Sequence, residues 1–158
     1  MKLYHGSNIA IDRIDLSYSK RYKDFGRAFY LSDSLSQAQQ MAETKCASLD
    51  GTPCVSVYEF DERNLYSSSE LNVKIFDAYS REWAEFIFNN RDESQQFVHP
   101  YDIVYGPIAD DYIGLQIRNY KLKNITFAQF LRKIKYHKGI SFQYAFCTQR
   151  AIDKLQKI

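Results

Sequence analysis

Residues 24–42 read DFGRAFYLSDSLSQAQQMA and place three structural signals next to one another. Gly26 marks a turn, and the aromatic residues after it predict a strand over 29–32. Ser34, followed three residues later by a glutamine, forms a capping-box pattern that predicts the start of a helix. Apolar residues then recur at helical spacing as far as the Asp-Gly pair at 50–51, which predicts the helix end. A strand that leads directly into a capped helix indicates a fold built from both element types.

The remaining elements extend in both directions from this unit. Alternating or β-branched apolar residues predict further strands over 2–5, 54–60, 71–76, 101–105 (ending at Gly106-Pro107) and 142–147. Further helices are predicted from Ser80 through Asn90, over 110–121 and 126–138, and from Thr148 onward, where Ala151, Ile152, Leu155 and Ile158 recur. Because strands and helices are interspersed without a regular βαβ rhythm, the expected fold class is α+β.

The size and composition of the chain narrow its class. Its 158 residues suit a single domain spanning 1–158, and 45% hydrophobic with 25% charged residues excludes wholesale disorder. No window approaches the roughly 20 apolar residues of a membrane span, and the first residues lack a secretory pattern. Three cysteines without paired spacing predict no disulfide framework, and three scattered histidines predict no metal site. These features favour a reducing, cytoplasmic location.

Charge is distributed unevenly along the chain. The net charge is only +2, but residues 118–158 hold ten Lys/Arg and one acid, against eleven Lys/Arg and eighteen Asp/Glu before them. A basic carboxyl-terminal segment of this kind suits nucleic-acid binding. The alternative is that the segment forms one wall of a cleft for an anionic ligand, and no nucleic-acid motif accompanies it. We therefore expect the basic segment to form one wall of such a cleft.

Three short motifs contain side chains suited to ligand binding. His5 precedes Gly6-Ser7 at a strand end, where a backbone without a side chain permits close approach of a ligand. Tyr30 follows the Gly26 turn and offers a flat ring. Gln143 alternates with aromatic residues on the last strand. Each motif alone also has a purely structural interpretation, as an exposed histidine, a buried aromatic strand or an amide that completes a hydrogen-bond network.

The order and spacing of these motifs resemble the ADP-ribosyltransferase superfamily. The resemblance is to the branch that includes diphtheria toxin and poly(ADP-ribose) polymerases, defined by a histidine, a tyrosine and an acid or amide on three strands. A narrower resemblance is to a small, largely uncharacterised bacterial family of this superfamily, some of whose members lie beside small partner proteins, as toxins lie beside antitoxins. It rests on LYHGS, KDFG-x-x-FYLS, EWAEFIFNNR, YDIVYGPIADD and QYAF, which begin at residues 3, 23, 82, 101 and 143.

This resemblance implies a fold and a ligand. The fold would be a split, mixed and antiparallel β-sandwich of ADP-ribosyltransferase type with peripheral helices, and NAD would lie as substrate between two small sheets, without a metal. His5 would bind the adenosine-side ribose, and Tyr30 would stack on nicotinamide. Gln143 would contact the 2′-hydroxyl of the nicotinamide ribose. The implied catalytic residues are His5, Tyr30 and Gln143, and the implied NAD-binding residues are His5, Gly6, Ser7, Arg13, Phe29 and Tyr30. Arg13, Arg21 or Lys23 could meet the pyrophosphate, although all three also suit a solvated loop.

The implied function is mono-ADP-ribosyl transfer from NAD to a protein or nucleic-acid acceptor, by a toxin that an antitoxin protein would neutralise. Two residues depart from the family pattern. Gln143 stands where many relatives have glutamate, and an amide carries no charge and cannot act as a general base. Met41 stands where polymerases have a second stacking aromatic. Glu82 or Glu85 could supply a base, although both also suit a first helical turn. The alternative function is a catalytically silent module that binds NAD, ADP-ribose or a partner.

Overall fold

The computed structural model describes residues 1–67 and 70–158 and contains two β-sheets. The first sheet is antiparallel, with strand order β1-β3-β7, and the second has the order β2-β6-β5-β4, in which only β4 and β5 run parallel. The strands are β1 (Lys2–Ser7), β2 (Phe29–Leu31), β3 (Cys54–Phe60), β4 (Val73–Ile75), β5 (Ile103–Pro107), β6 (Phe142–Phe146) and β7 (Leu155–Lys157). Together with the helices, this arrangement confirms the predicted α+β class.

Six α-helices occur in the described ranges. They are α1 (Leu35–Ser48), α2 (Arg63–Tyr66), α3 (Arg81–Arg91), α4 (Asp111–Lys121), α5 (Phe127–Lys135) and α6 (Gln149–Ile152). Side chains cap five of them at the predicted positions: Ser34, Ser80, Asp110, Thr126 and Thr148. The short helix α2 was not predicted. None of the helices in residues 1–67 and 70–158 is long and apolar enough to cross a membrane.

The four-stranded sheet is covered on both faces. One face packs against the three-stranded sheet, where Leu3 and Phe60 meet Phe146 in a shared core. The other face packs against α3, α4 and α5 in a second core whose fully buried side chains include Trp83, Ile87, Ile113 and Phe130. Burial on both faces explains why β6 is almost continuously aromatic and apolar instead of alternating with charged residues.

The carboxyl terminus differs from its prediction. Helix α6 ends at Ile152, and Leu155–Lys157 forms strand β7, in which Leu155 pairs with Phe60 of β3. The apolar residues at 151, 152 and 155 match helical spacing, but they are divided between a single helical turn and an edge strand. The predicted terminal helix is therefore wrong, because pairing with an open edge of β3 satisfies backbone groups that a longer helix would leave at that edge.

The strand predicted over 101–105 is shifted by two residues: β5 begins at Ile103, and Gly106-Pro107 form its paired end. Gly106 pairs with Gln143, and Pro107 pairs with Phe142 at the end of the ladder. A Cβ at Gly106 would lie 3.0 Å from the Phe76 side chain and 3.1 Å from that of Phe25. The glycine is therefore needed for packing between side chains, and not for a turn.

We predict that Gly6→Ala disrupts the packing of β1 against α1 and destabilises the protein. A Cβ there would lie 2.0 Å from the Ala38 carbonyl oxygen, which is backbone and cannot rotate away. The expected loss is about 1–3 kcal/mol in the free energy of unfolding, measured by urea denaturation. Gly114→Ala is the matched control, because nothing lies within 4 Å of its Cβ position on α4. It should gain up to about 1 kcal/mol. Equal stability of both variants would contradict the packing argument.

Candidate functional site

His5 and Tyr30 are joined by a direct hydrogen bond. The His5 Nδ1 lies 2.7 Å from the Tyr30 carbonyl oxygen, so Nδ1 carries the proton and donates. The imidazole also stacks on the Phe29 ring at a centroid distance of 4.3 Å. Burial, repulsion from Lys45 and, more weakly, from Lys23 lower the pKa of His5 to about 4, against the opposing hydrogen bond to Tyr30. The ring is therefore neutral at pH 7, and its Nε2 is left as an acceptor.

Two lysines supply positive charge beside this histidine. Lys45 Nζ donates to the Gly6 carbonyl oxygen at 2.7 Å, and burial together with Lys23 lowers its pKa to about 8. Lys23 Nζ lies 4.9 Å from the centroid of the Tyr30 ring, a cation–π contact. Both lysines lie before residue 118, in the part of the chain with an excess of acids. The charge next to His5 thus has a different source from the basic carboxyl-terminal segment that was expected to provide it.

The ring of Tyr30 is fixed by its hydroxyl group. The hydroxyl donates to the Gly26 carbonyl oxygen at 2.7 Å and accepts from the Phe25 N–H at 3.1 Å. Gly26 has φ 78°, a left-handed conformation that glycine adopts without strain. Burial and the nearby Asp24 carboxylate raise the pKa of Tyr30 well above its usual value. The phenol therefore stays protonated, and the turn at Gly26 sets the plane of its ring.

Gln143 is held by a buried acid that sequence reasoning missed. Its Nε2 donates to Asp24 Oδ2 at 3.2 Å. Asp24 is 7% exposed and also accepts from Arg91 Nε at 2.8 Å and from the Ala109 N–H at 3.1 Å. Since Nε2 is committed to Asp24, the amide oxygen of Gln143 is the atom left to accept from a ligand. An acid before a glycine turn gives no sequence signal for these contacts, because their partners are 67 to 119 residues away.

The three predicted catalytic residues lie in neighbouring strands. Tyr30 pairs with Ala145 across β2 and β6, and Gln143 is two residues from Ala145, so the two side chains share a face of the sheet. His5 contacts Tyr30 from the adjoining strand β1 through the hydrogen bond described above. In the described part of the chain, Gln143 forms no hydrogen bond with His5 or Tyr30 and is connected to Tyr30 through Asp24.

The other predicted NAD-binding residues are divided between the cluster and the surface. Phe29 lies under the His5 ring, and Ser7 is 5% exposed, with its hydroxyl accepting from the Ile9 N–H at 3.4 Å. Arg13 is exposed on the loop after β1, where its charge acts on Asp15. The structure does not bring Arg13 into contact with His5 or Tyr30.

Met41 stands at the position of a second stacking aromatic, and Glu82 and Glu85 are the candidates for a general base. All three lie on helix surfaces. Met41 is 50% exposed on α1. Glu82 is paired with Lys74, and Glu85 is paired with Arg81 four residues earlier on α3. Both glutamates are more than half exposed in these pairs. The plain interpretation as an acid in the first helical turn is confirmed for Glu82, whereas Glu85 lies one turn further along α3.

Two cavities flank the cluster. One of about 220 Å³ is lined by Gly26, Arg27 and Phe97, among others. A second, of about 560 Å³, is lined by Arg91 at the end of α3 and by residues at and after the start of α4, among them Asp110, Asp111 and Arg118. Neither cavity is lined by His5, Tyr30 or Gln143. In the described part of the chain, no three His, Cys, Asp or Glu residues are grouped as a metal site requires.

Comparison with known proteins gives a family and no activity. A family model described as "Protein of unknown function (DUF3990)" matches residues 1–157. No curated protein and no solved structure matches the chain.

We predict that the His5 ring stays neutral down to about pH 4 in the folded protein. Its pKa in the unfolded chain is about 6.5, so the unfolded state binds the proton first as pH falls. Stability from this group is therefore present above about pH 6.5 and is lost as pH falls toward pH 4. Urea midpoints at pH 7 and pH 5 should differ more for wild type than for His5→Gln. A His5 ring that titrates near pH 6.5 by NMR would refute this.

Proposed function

The chain belongs to the family of unknown function DUF3990, and we propose that it is an NAD-dependent mono-ADP-ribosyltransferase. The observation that carries the proposal is the hydrogen bond between His5 and the backbone of Tyr30, with Gln143 on the same sheet face as Tyr30. In this proposal the two facing sheets form a split sandwich of ADP-ribosyltransferase type. The enzyme acts on a protein or nucleic-acid acceptor and is the toxin of a toxin–antitoxin pair.

The charges around His5 suit a dinucleotide substrate. The neutral His5 Nε2 accepts from a ribose hydroxyl, and Lys23 and Lys45 offset the charge of the pyrophosphate. The Tyr30 ring already has a cation over its face, namely the Lys23 ammonium. The nicotinamide ring of NAD is itself cationic, so it suits the same position. Lys23 then moves from the ring toward the pyrophosphate.

The reaction requires little covalent chemistry from the protein. The bond between the ribose C1′ and the nicotinamide nitrogen breaks, nicotinamide leaves with the electron pair, and an oxocarbenium-like ribose remains. The amide oxygen of Gln143 accepts from the 2′-hydroxyl and directs its dipole at this developing charge. An acceptor nucleophile then bonds to C1′ and releases its proton to water or to a base of the acceptor. Because an amide is not a base, transfer of a single ADP-ribose unit is expected, without chain elongation.

A second candidate function is a silent module that binds NAD, ADP-ribose or a partner protein. It is favoured by one observation: the Asp24 carboxylate is already paired with Arg91, so the negative charge nearest Gln143 is neutralised. Such a module would retain the ligand contacts proposed for His5, Tyr30 and Gln143 and would not break the glycosidic bond. Binding without turnover separates this candidate from the transferase.

We predict that wild-type protein releases nicotinamide from NAD in the presence of a cell lysate. His5→Ala, Tyr30→Ala and Gln143→Ala should each lower the rate at least about tenfold, the usual scale for losing a group that stabilises a transition state. Glu82→Ala is the matched control on the surface of α3 and should leave the rate unchanged. Calorimetry with NAD tests binding separately. A wild-type protein that neither binds nor consumes NAD contradicts the transferase and the NAD-binding form of the second candidate.

We also predict that positions 24 and 143 are coupled. Gln143→Glu places a second carboxylate against Asp24 and should lower the free energy of unfolding at pH 7. Adding Asp24→Asn restores one acid and one amide in contact. The double variant should therefore lose less free energy of unfolding than the sum of the losses in the two single variants. The expected coupling energy is about 1–3 kcal/mol, measured by a double-mutant cycle in urea. Additive losses would show that the two side chains do not interact.

A further inference from the structure

The strongest unexplained feature of the molecule is a basic helical hairpin. It comprises α4, α5, their connection and the residues after α5 as far as 141. Asp111 opens α4, and residues 112–141 then contain seven Lys/Arg and no Asp/Glu. The seven are Arg118, Lys121, Lys123, Arg132, Lys133, Lys135 and Lys138. The rest of the chain holds fourteen Lys/Arg against nineteen Asp/Glu. The protein is therefore a basic hairpin on an acidic body.

All seven cations are exposed. Within residues 1–67 and 70–158, no carboxylate lies at ion-pair distance from any of them. Like charges on one pair of helices repel one another, and this repulsion lowers stability. It is offset only in part, by a hydrogen bond from Lys121 to the Arg91 carbonyl oxygen and by a cation–π contact of Lys135 with Tyr136. An anionic partner would relieve that repulsion.

The hairpin is rigidly attached to the body. Ile113, Phe130 and Ile134 are buried in the second core, so the opposite sides of both helices face outward. Thr126 and Gln129 close a complete capping box at the start of α5. Five of the seven cations are thus presented on fixed helices, which lowers the entropy lost when a partner binds, while Lys123 lies in the connection and Lys138 follows α5.

We infer that the basic hairpin binds the phosphate backbone of a nucleic acid. Five of the seven cations are lysines, which are depleted at protein–protein interfaces but bind phosphate well as point charges. The Tyr136 ring is 73% exposed at the end of α5, beside Lys135, and offers a surface on which an unpaired base can stack. This composition favours a nucleic acid over an acidic protein. The inference needs no enzymatic activity, and it supplies a nucleic-acid acceptor if the proposed transfer occurs.

The test is fluorescence anisotropy with labelled 20-nucleotide single-stranded and duplex oligonucleotides, without NAD. Wild type should bind at 50 mM salt with a dissociation constant of about 1 μM or lower. Log Kd should rise with log salt with a slope of about 4–6, as contact with five to seven phosphates requires. Arg132→Gln with Lys133→Gln should weaken binding at least about tenfold and reduce the slope by about 2. The two oligonucleotides show whether Tyr136 stacking favours single strands.

The matched control removes two exposed cations outside the hairpin, in Lys2→Gln with Arg63→Gln, and should change Kd less than about twofold. Circular dichroism confirms that both double variants are folded. No binding at 50 mM salt overturns the inference, as does equal weakening by both double variants. A poly-glutamate peptide that binds as tightly as the oligonucleotides also overturns it and points to an acidic protein instead. Since NAD is absent, failure here leaves the proposed transferase activity untouched.

Discussion

The buried carboxylate of Asp24 connects four distant parts of the chain. It lies at the Gly26 turn and accepts hydrogen bonds from Arg91 on α3, from the Ala109 N–H before α4 and from Gln143 on β6. Burial of a charge is costly unless each lone pair is used, and here both oxygens have donors. The position of the turn, the direction of α3 and the orientation of the Gln143 amide are therefore set together. Loss of the carboxylate would leave the Arg91 guanidinium without its partner.

A second constraint joins the two sheets. The Tyr4 N–H donates to the Ser32 carbonyl oxygen at 2.8 Å, and the Ser32 N–H returns a bond to Tyr4 at 2.9 Å. This isolated bridge brings the middle of β1 beside the end of β2, so that His5 can reach the backbone of Tyr30. Beyond the bridge each strand continues into its own sheet. The separation of the sheets starts where the candidate site lies, which is why residues from both sheets converge there.

Local sequence signals predicted much of this fold and only part of the site. Strand β3 has its predicted bounds, and the predicted cap residues all cap helices, because alternation and capping depend on neighbouring residues. Strand β7 was mistaken for a helix, because its assignment depends on the open edge of β3, more than ninety residues earlier. The hydrogen bonds of Asp24 likewise depend on partners that are 67 to 119 residues away in the sequence. His5, Tyr30 and Gln143 could be named from motif order, and Lys23 as one of three basic candidates for the pyrophosphate, whereas Asp24 and Lys45 required coordinates.

The amide at position 143 follows from the acid at position 24. Asp24 Oδ2 already accepts from Ala109 and Gln143, and Arg91 supplies one positive charge for the whole group. The assembly of Asp24, Arg91 and Gln143 is therefore neutral. A glutamate at 143 would add a second carboxylate without a second cation, and like charges at that distance cannot both remain ionised. Glutamine avoids this conflict, keeps an acceptor oxygen for a ligand and is oriented by the acid next to it. The choice of glutamine at position 143 is thus physically linked to Asp24.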